Sequence, residues 1–407
     1  MAAQSSAALF LSPEAPYPLA GGGALRSASL LNFLAQHYEL DMVAFHEPGA
    51  ACPEHHLPPG LVRRLHVIDL PRNARHALAR TARNAGRLAR GVPPLIDRFA
   101  GFGQQVAEAV QGRRYAVSVI EHFWCAPYWE QVAAVSDATI LDLHNIESVL
   151  HERCARAESG AQAFAHRAFQ KVSRRLEERW LPKFSYLLAP SESDATLLRS
   201  IAPDSAVLVY RNSIPESPLP RLPEEDAVVF SGNLEYHPNI SAVRYFRNEI
   251  WPALRERWPG LVWRLVGKNP HAVAKIVSGD SRIQLSGSVS DAIPVLARAK
   301  VAVVPLLAGS GTRIKILEAW AAGVPVVSTP LGAEGLPARD SQHLLLAGDP
   351  RAFADAVSSL LADPLLRRRI GQAGRYLFEC EFTWQAAWKA LHFLYPATMV
   401  GSDAVRH

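Results

Sequence analysis

The sequence predicts an α/β protein built from two doubly wound, parallel-sheet domains in tandem. Three observations carry this expectation. The chain has 407 residues, too many for one ordinary core and natural for two of about 200 residues each. Short apolar, β-branched runs alternate with helical patterns through both halves, as parallel strands linked by crossover helices do. Between the halves a crowd of prolines (Pro203, Pro215, Pro218, Pro220, Pro223) breaks the alternation, and proline removes backbone donors and favours extended chain. The expected organisation is therefore a first domain over 1–210, a linker over 211–225 and a second domain over 226–381. A final helix over 382–398 should pack back toward the first domain.

In the first half a short strand, Ala7 to Ser12, leads through the turn-rich stretch Pro13 to Gly23 into a helix over Ala24 to His37. A second strand follows over Leu40 to Phe45, completing one βαβ unit with a glycine-rich turn. Further strands are expected at Leu65 to Leu70, Ala116 to Ile120, Thr139 to Leu143 and Tyr186 to Ala189, with one long polar helix over Glu147 to Trp180. In the second half, strands are expected at Ala227 to Ser231, Val262 to Val266, Ile283 to Leu285, Val301 to Pro305 and Pro325 to Thr329. Helices are expected near Ala242 to Trp258, Ala292 to Ala297 and Thr312 to Ala322. The last helix, Thr383 to Leu394, places Trp384, Trp388, Leu391 and Leu394 near one face.

Composition narrows the function classes. Apolar residues make up 49% and charged residues 20% of the chain, which describes a globular protein rather than a disordered one. No apolar run reaches the roughly 20 residues of a membrane span. Met1 to Ser6 lacks the basic start of a secretory signal, so a cytoplasmic protein, peripheral at the inner face of a membrane, is the expectation. Cys52, Cys125, Cys154 and Cys380 form no CxxC pair, and the histidines no HExxH spacing, so neither a disulfide framework nor a metal site is expected. From Leu61 to Arg114 eleven arginines face three acids (Asp69, Asp97, Glu108). That block suits an anionic surface such as a lipid membrane. No nucleic-acid-binding module accompanies it.

The segment with the most chemistry is Val301 to Leu336, VAVVPLLAGSGTRIKILEAWAAGVPVVSTPLGAEGL. A buried strand delivers the small-residue loop Gly309-Ser310-Gly311-Thr312 to a helix start, where free amides and the helix dipole attract a diphosphate. Arg313 and Lys315 add positive charge there. Glu318 lies about 9 Å further along the helix, placed to accept from both hydroxyls of a ribose. Gly22 and Gly23, after the first strand, offer amides to a phosphate, with Arg26 a companion one turn later. Gly232 and Asn233 form a similar turn after the first strand of the second domain, and Gly267 ends the next strand. His144 stands directly after a strand, where ligands of doubly wound sheets gather. His122, also after a strand, is a second candidate, for acceptor contact.

These segments together (PLAGGGALRS, LDLHNIESVL, APSESD, VVFSGNLEYHPN and GTRIKILEAWAAGVPVV) resemble the GT-B glycosyltransferases, in particular the large family 4 of bacterial polysaccharide synthesis. The resemblance covers most of the chain and implies two Rossmann-like domains facing across a cleft. It further implies a nucleoside diphosphate sugar donor, with the uridine nucleotide favoured, and a hydroxyl acceptor that is a glycan or lipid-linked. Hexosyl transfer would then retain configuration with neither metal nor cofactor. In the family pattern Glu318 binds the ribose, and His144 lies near the donor sugar and the reacting centre. Lys315 and Arg313 would stabilise the leaving group. The sequence departs from the pattern twice. Ser310 stands where a glutamate contacts the donor sugar, and no basic pair follows Gly232. A GT-B epimerase and a non-catalytic nucleotide-sugar binding subunit are the rival readings.

Overall fold

The computed structural model describes residues 6–19, 21–72, 77–157, 160–289, 291–308 and 313–395. The chain divides into two units, residues 1–211 with 388–407, and residues 212–387. In the first unit the strands are β1 (Ala7–Ser12), β2 (Glu39–His46), β3 (Arg64–Asp69), β4 (Tyr115–Glu121), β5 (Ser136–Asp142), β6 (Tyr186–Ala189) and β7 (Ala206–Val209). They pair in the order β3-β2-β1-β4-β5-β6-β7, all parallel. The second unit holds β8 (Glu225–Ser231), β9 (Val262–Val266), β10 (Ile283–Ser286), β11 (Ala299–Val304), β12 (Val326–Ser328) and β13 (Leu345–Leu346), ordered β10-β9-β8-β11-β12-β13 and again parallel.

Both sheets are doubly wound. The chain runs outward from β1 to β3 and then returns to β4, and likewise from β8 to β10 and back to β11. The switch points thus lie between β1 and β4 and between β8 and β11, and the carboxyl ends of those strands are where such folds bind ligands. Strands β1 and β8 read as continuous apolar runs because helices cover both sheet faces; five residues of each, Ala8–Ser12 and Ala227–Ser231, are buried.

The second unit's core is built on Trp251, Trp263 and Trp320, all fully buried. At about 25 cal/mol per Å² each contributes roughly 4–6 kcal/mol of burial. The Trp251 Nε1–H donates to Asp280 Oδ2 at 2.9 Å and that of Trp320 to the His343 carbonyl at 3.0 Å. In the first unit Phe45 packs on Phe99, Phe102 and Tyr128, with ring centroids 5.4–5.7 Å apart. Among the described residues no helix is long and apolar enough to cross a membrane.

Three elements differ from the sequence expectation. The single helix over Glu147 to Trp180 is two, Glu147–Ala157 and Gly160–Trp180, and Gly160 takes φ 62°, which glycine adopts without strain. The arms pack together, with Glu177 capping the first through the Ser148 N–H and hydroxyl (2.8 and 2.6 Å). The helix expected over Ala242 to Trp258 starts earlier, at His237, and passes through a π-helical turn, Phe246–Ile250, into Trp251–Arg257. Pro252 has no N–H to return to the preceding turn, and the ladder widens there. The final helix is short, Trp384–Trp388, and continues as a 3₁₀ segment, Lys389–Leu394.

The proline-rich stretch is no free tether. Ile214 bridges Thr383, and Arg375 Nη2 donates to the Ser217 carbonyl at 2.8 Å. Arg367 Nη2 reaches Glu224 Oε2 at 2.8 Å, so the second unit begins at Asn212. The segment from Trp388 joins the first unit: Trp388 Nε1–H donates to the carbonyl and hydroxyl of Ser29, both at 3.1 Å, and Tyr38 donates to the Leu394 carbonyl.

Candidate functional site

Each unit carries a constellation at its own switch point. In the second, β8 ends at Ser231 and the chain turns at Gly232 with φ 139°; β9 ends at Gly267 with φ 149°. The two turns touch, since a Cβ on Gly267 would lie 1.8 Å from the Gly232 carbonyl oxygen. A Cβ on Gly232 would lie 2.2 Å from Lys315 Nζ. The glycines are there because backbone and ammonium occupy the space a side chain needs. The side chain of Asn233 is engaged in shaping this turn: its Oδ1 accepts from the Glu235 N–H (3.1 Å) and from Asn269 Nδ2 (3.2 Å).

Lys315 and Glu318 stand three residues apart on the helix Ile314–Ala321 and therefore share a face. The ammonium of Lys315 sits 5.3 Å from the centre of the Phe230 ring. Burial pushes its pKa down to about 8, with Glu318 opposing and Arg313 adding to the shift. Glu318 Oε2 accepts from the Ser231 hydroxyl at 3.1 Å; burial raises its carboxyl, and Lys315 restrains the rise. A cation over a bare glycine turn can bind an anionic oxygen, and an oriented carboxylate can accept from a diol.

Arg313 does not stand beside Lys315 as a second open cation. Its guanidinium turns to Glu334, with Nη2 3.1 Å from Oε2 and Nε–H donating to the backbone carbonyl at 3.1 Å. The planar fork suits a carboxylate and a carbonyl together, and the pair fixes the helix start. Ser310, Gly311 and Thr312 lie outside the described residues.

In the first unit, β4 and β5 run in a register that sets Glu121 beside Asp142, both fully buried. Two adjacent buried carboxylates require cations. Arg26 supplies one: Nε donates to Asp142 Oδ2 at 2.8 Å, and the guanidinium also donates to the Tyr210 carbonyl. At 1% exposure Arg26 is part of the interior and no companion of a phosphate, contrary to the sequence expectation. His144 supplies the other, its Nε2 2.7 Å from Glu121 Oε2 and 3.4 Å from Asp142 Oδ2. Burial alone would push His144 down, but Glu121 and Asp142 outweigh it and raise it to about 9. Ser27 donates to Glu121 Oε2 at 2.7 Å.

The sign of the pH dependence follows. The ordinary histidine value is 6.5 and the folded one about 9, so the imidazolium contributes its full stabilisation below pH 6.5 and loses it as pH rises through about 9. The stability difference between wild type and His144→Gln should be largest in acid and shrink toward pH 9–10. Denaturant melts at four pH values measure it, and a difference that grows with pH contradicts the assignment.

Gly22 and Gly23 open helix α1 (Gly22–His37), behind an N-cap at Gly21 with φ 117°. A Cβ on Gly23 would sit 3.7 Å from His144 Nδ1, so the expected glycine turn and the expected histidine do meet. His122, at φ 60°, occupies a backbone region that non-glycine residues hold only when the surroundings impose it. Its ring is stacked between Trp124 (4.2 Å) and His144 (3.6 Å), and Trp124 is tied to Glu147 Oε1 at 2.9 Å. Glu121, His122 and His144 bring potential ligand atoms within 4.8 Å of one another. The stacked rings, however, are inclined by only 31°, so their in-plane lone pairs run side by side rather than converging as tetrahedral ligands do.

Sequence reasoning gave no role to the Asp142 carboxylate or to the Ser231 hydroxyl. The signal for the acids was present: a carboxylate inside an otherwise apolar strand, as in ILDLH, is buried only with a partner. The partner, Arg26, lies 116 residues away and is invisible to local pattern.

Residues 225–363 match the family model described as "Glycosyl transferases group 1". Over 129 residues the chain is 33% identical to a phosphatidyl-myo-inositol mannosyltransferase of Mycobacterium leprae, covering 30% of this chain and 34% of that protein, so the match spans about a third of the relative's length. Among solved structures, sucrose-phosphate synthase from Thermosynechococcus elongatus superposes with a TM-score of 0.72 at 18% identity, over 97% of this chain and all of that one. HepE of Anabaena, in complex with UDP and glucose, does so at 0.65 and 14%, over the same shares. The chain thus has the two-domain GT-B fold, and within its second unit residues 225–363 match the glycosyl transferases group 1 model.

Proposed function

We propose that the protein transfers a hexosyl group from a nucleoside diphosphate sugar to a hydroxyl acceptor, with retention at the anomeric carbon. One observation carries this reading. Inside the matched stretch, Lys315 Nζ lies over the Gly232 turn while Glu318, three residues on, is oriented by Ser231. That is a phosphate contact and a diol contact on one helix face. The HepE structure holding UDP and glucose supports a uridine diphosphate sugar as donor. Lys315 faces the diphosphate and Glu318 the ribose, and His144 of the first unit is proposed to bind a sugar hydroxyl. As the anomeric carbon–phosphate oxygen bond breaks, the acceptor oxygen bonds to that carbon from the same face and its proton passes to the departing phosphate. Lys315 then acts by electrostatic preorganisation on the charge that develops. Arg313 serves by holding the start of the helix.

The mannosyltransferase relative is named for a phosphatidylinositol acceptor, which supports a lipid-linked acceptor and an anionic membrane surface as partners. Within the arginine block Arg87 and Arg90 already pair with Asp97, and Arg98 with Glu47, so the surface field is weaker than the residue count implies. Arg75 lies outside the described residues.

The reading is tested by incubating the purified protein with a panel of nucleoside diphosphate sugars, with and without alkyl glycoside acceptors. Free nucleotide and a product keeping the donor's anomeric configuration by proton NMR are expected, at a rate unchanged by chelator because Lys315 supplies the charge. Conversion of donor without acceptor indicates an epimerase. Binding with no release in either arm indicates a non-catalytic subunit.

A further inference from the structure

His144 is buried, with 7% of its side chain exposed, yet only one of its nitrogens is committed. Nε2 is held by Glu121 and Asp142; Nδ1 has no hydrogen-bond partner among the described residues and points to the bare face of Gly23. The same bare spot is approached from the turn after β1. A Cβ on Gly23 would lie 3.7 Å from His144 Nδ1 and 3.9 Å from Glu14 Oε1. Glu14 is exposed as a residue, while its carboxyl leans inward, so that burial raises its pKa and His144 opposes the rise; among the described residues its one hydrogen bond is through the backbone carbonyl, which accepts from Ser12. An imidazole nitrogen and a carboxylate oxygen therefore converge on one position that no protein atom fills.

We propose that Glu14 and His144, across the missing side chain of Gly23, form a recognition site for adjacent hydroxyls of a saccharide. The imidazolium Nδ1–H donates to one hydroxyl oxygen, and the Glu14 carboxylate accepts from a neighbouring hydroxyl. A sugar hydroxyl both donates and accepts, so a donor and an acceptor set side by side read a vicinal pair better than either group alone. This inference rests on the proposed sugar transfer and makes Glu14 a specificity-determining residue of it. The sugar belongs either to the donor or to the acceptor, and the chemistry is common to both.

Two variants of this chain test it. Glu14→Gln keeps the shape and removes the charged acceptor. Gly23→Ala places a methyl at ordinary contact distance from both groups, within a helix where alanine is preferred to glycine. It should therefore fold at least as stably as wild type while obstructing the hydroxyls. If the donor's sugar is read, both variants weaken binding of the intact nucleotide sugar tenfold or more, and Glu14→Gln leaves free nucleoside diphosphate binding unchanged. If the acceptor's sugar is read, donor binding is unchanged and KM for an alkyl glycoside acceptor rises tenfold or more. Wild-type values for both substrates in both variants overturn the inference while leaving the function intact. Absence of any nucleotide binding by wild type would instead remove the function on which it rests.

Discussion

Replacing Lys315 with alanine is expected to lower kcat/KM for sugar transfer at least a hundredfold, about 2.7 kcal/mol or more of transition-state stabilisation. The ammonium lies where a Gly232 side chain would otherwise be, and no basic pair follows that turn to share its task. Arginine should not rescue it, because a planar guanidinium is wider than the space over Gly232. The lowered pKa, about 8, gives the reading a second face. In the free protein the charge is lost as pH rises through about 8, whereas a bound diphosphate favours the charged form. Nucleotide binding at pH 8.5 should therefore take up protons, seen by calorimetry in two buffers of different ionisation enthalpy. Proton uptake that persists in Lys315→Ala, or turnover within threefold of wild type, would place the leaving group elsewhere.

Arg26→Ala should destabilise the first unit by about 3–5 kcal/mol, because it strands the fully buried Asp142 without its cation. Arg114→Ala, removing an exposed pair with Asp137, should cost under about 1 kcal/mol. Two units need not unfold in one step, so amide exchange in β4 and β5 is the suitable readout. The double change Arg26→Met with Asp142→Leu should recover much of the loss, since an apolar pair of similar volume replaces the ions. It should also lower the His144 pKa, one of whose carboxylates has gone. A cost below about 1 kcal/mol for Arg26→Ala would show that Asp142 is reached by water.

The parallel sheets were legible because their strands are buried on both faces and read as apolar runs; β9 and β6 fall where the sequence places them. Strand β13, two residues long, carries no period to detect, and β7 (AVLV) follows the proline at 203 and was not separated from the proline-rich stretch. The hairpin at 147–180 was missed because both arms have helical composition, and only the backbone conformation of Gly160 distinguishes one helix from two. In the site, Lys315 and Glu318 were legible from helical spacing behind a small-residue loop. Arg313 was not, since its partner Glu334 lies beyond a helix, a strand and a turn. Arg26 illustrates the same limit: charge near a glycine turn suggests phosphate, and only the neighbouring strands reveal a buried acid waiting for it.

The most direct test of the central claim is nucleotide binding by the second unit. Thermal melts against a panel of nucleoside diphosphates and their sugars should single out one base, with stabilisation of about 2.7 kcal/mol at a hundred times its dissociation constant. Glu318→Ala should weaken nucleotide binding by about 2–3 kcal/mol, as two hydrogen bonds to a charged acceptor are lost, leaving under about 1 kcal/mol of that stabilisation at the same nucleotide concentration. A panel in which no nucleotide shifts the melt of the folded wild-type protein, or a shift that Glu318→Ala leaves unchanged, would contradict the account.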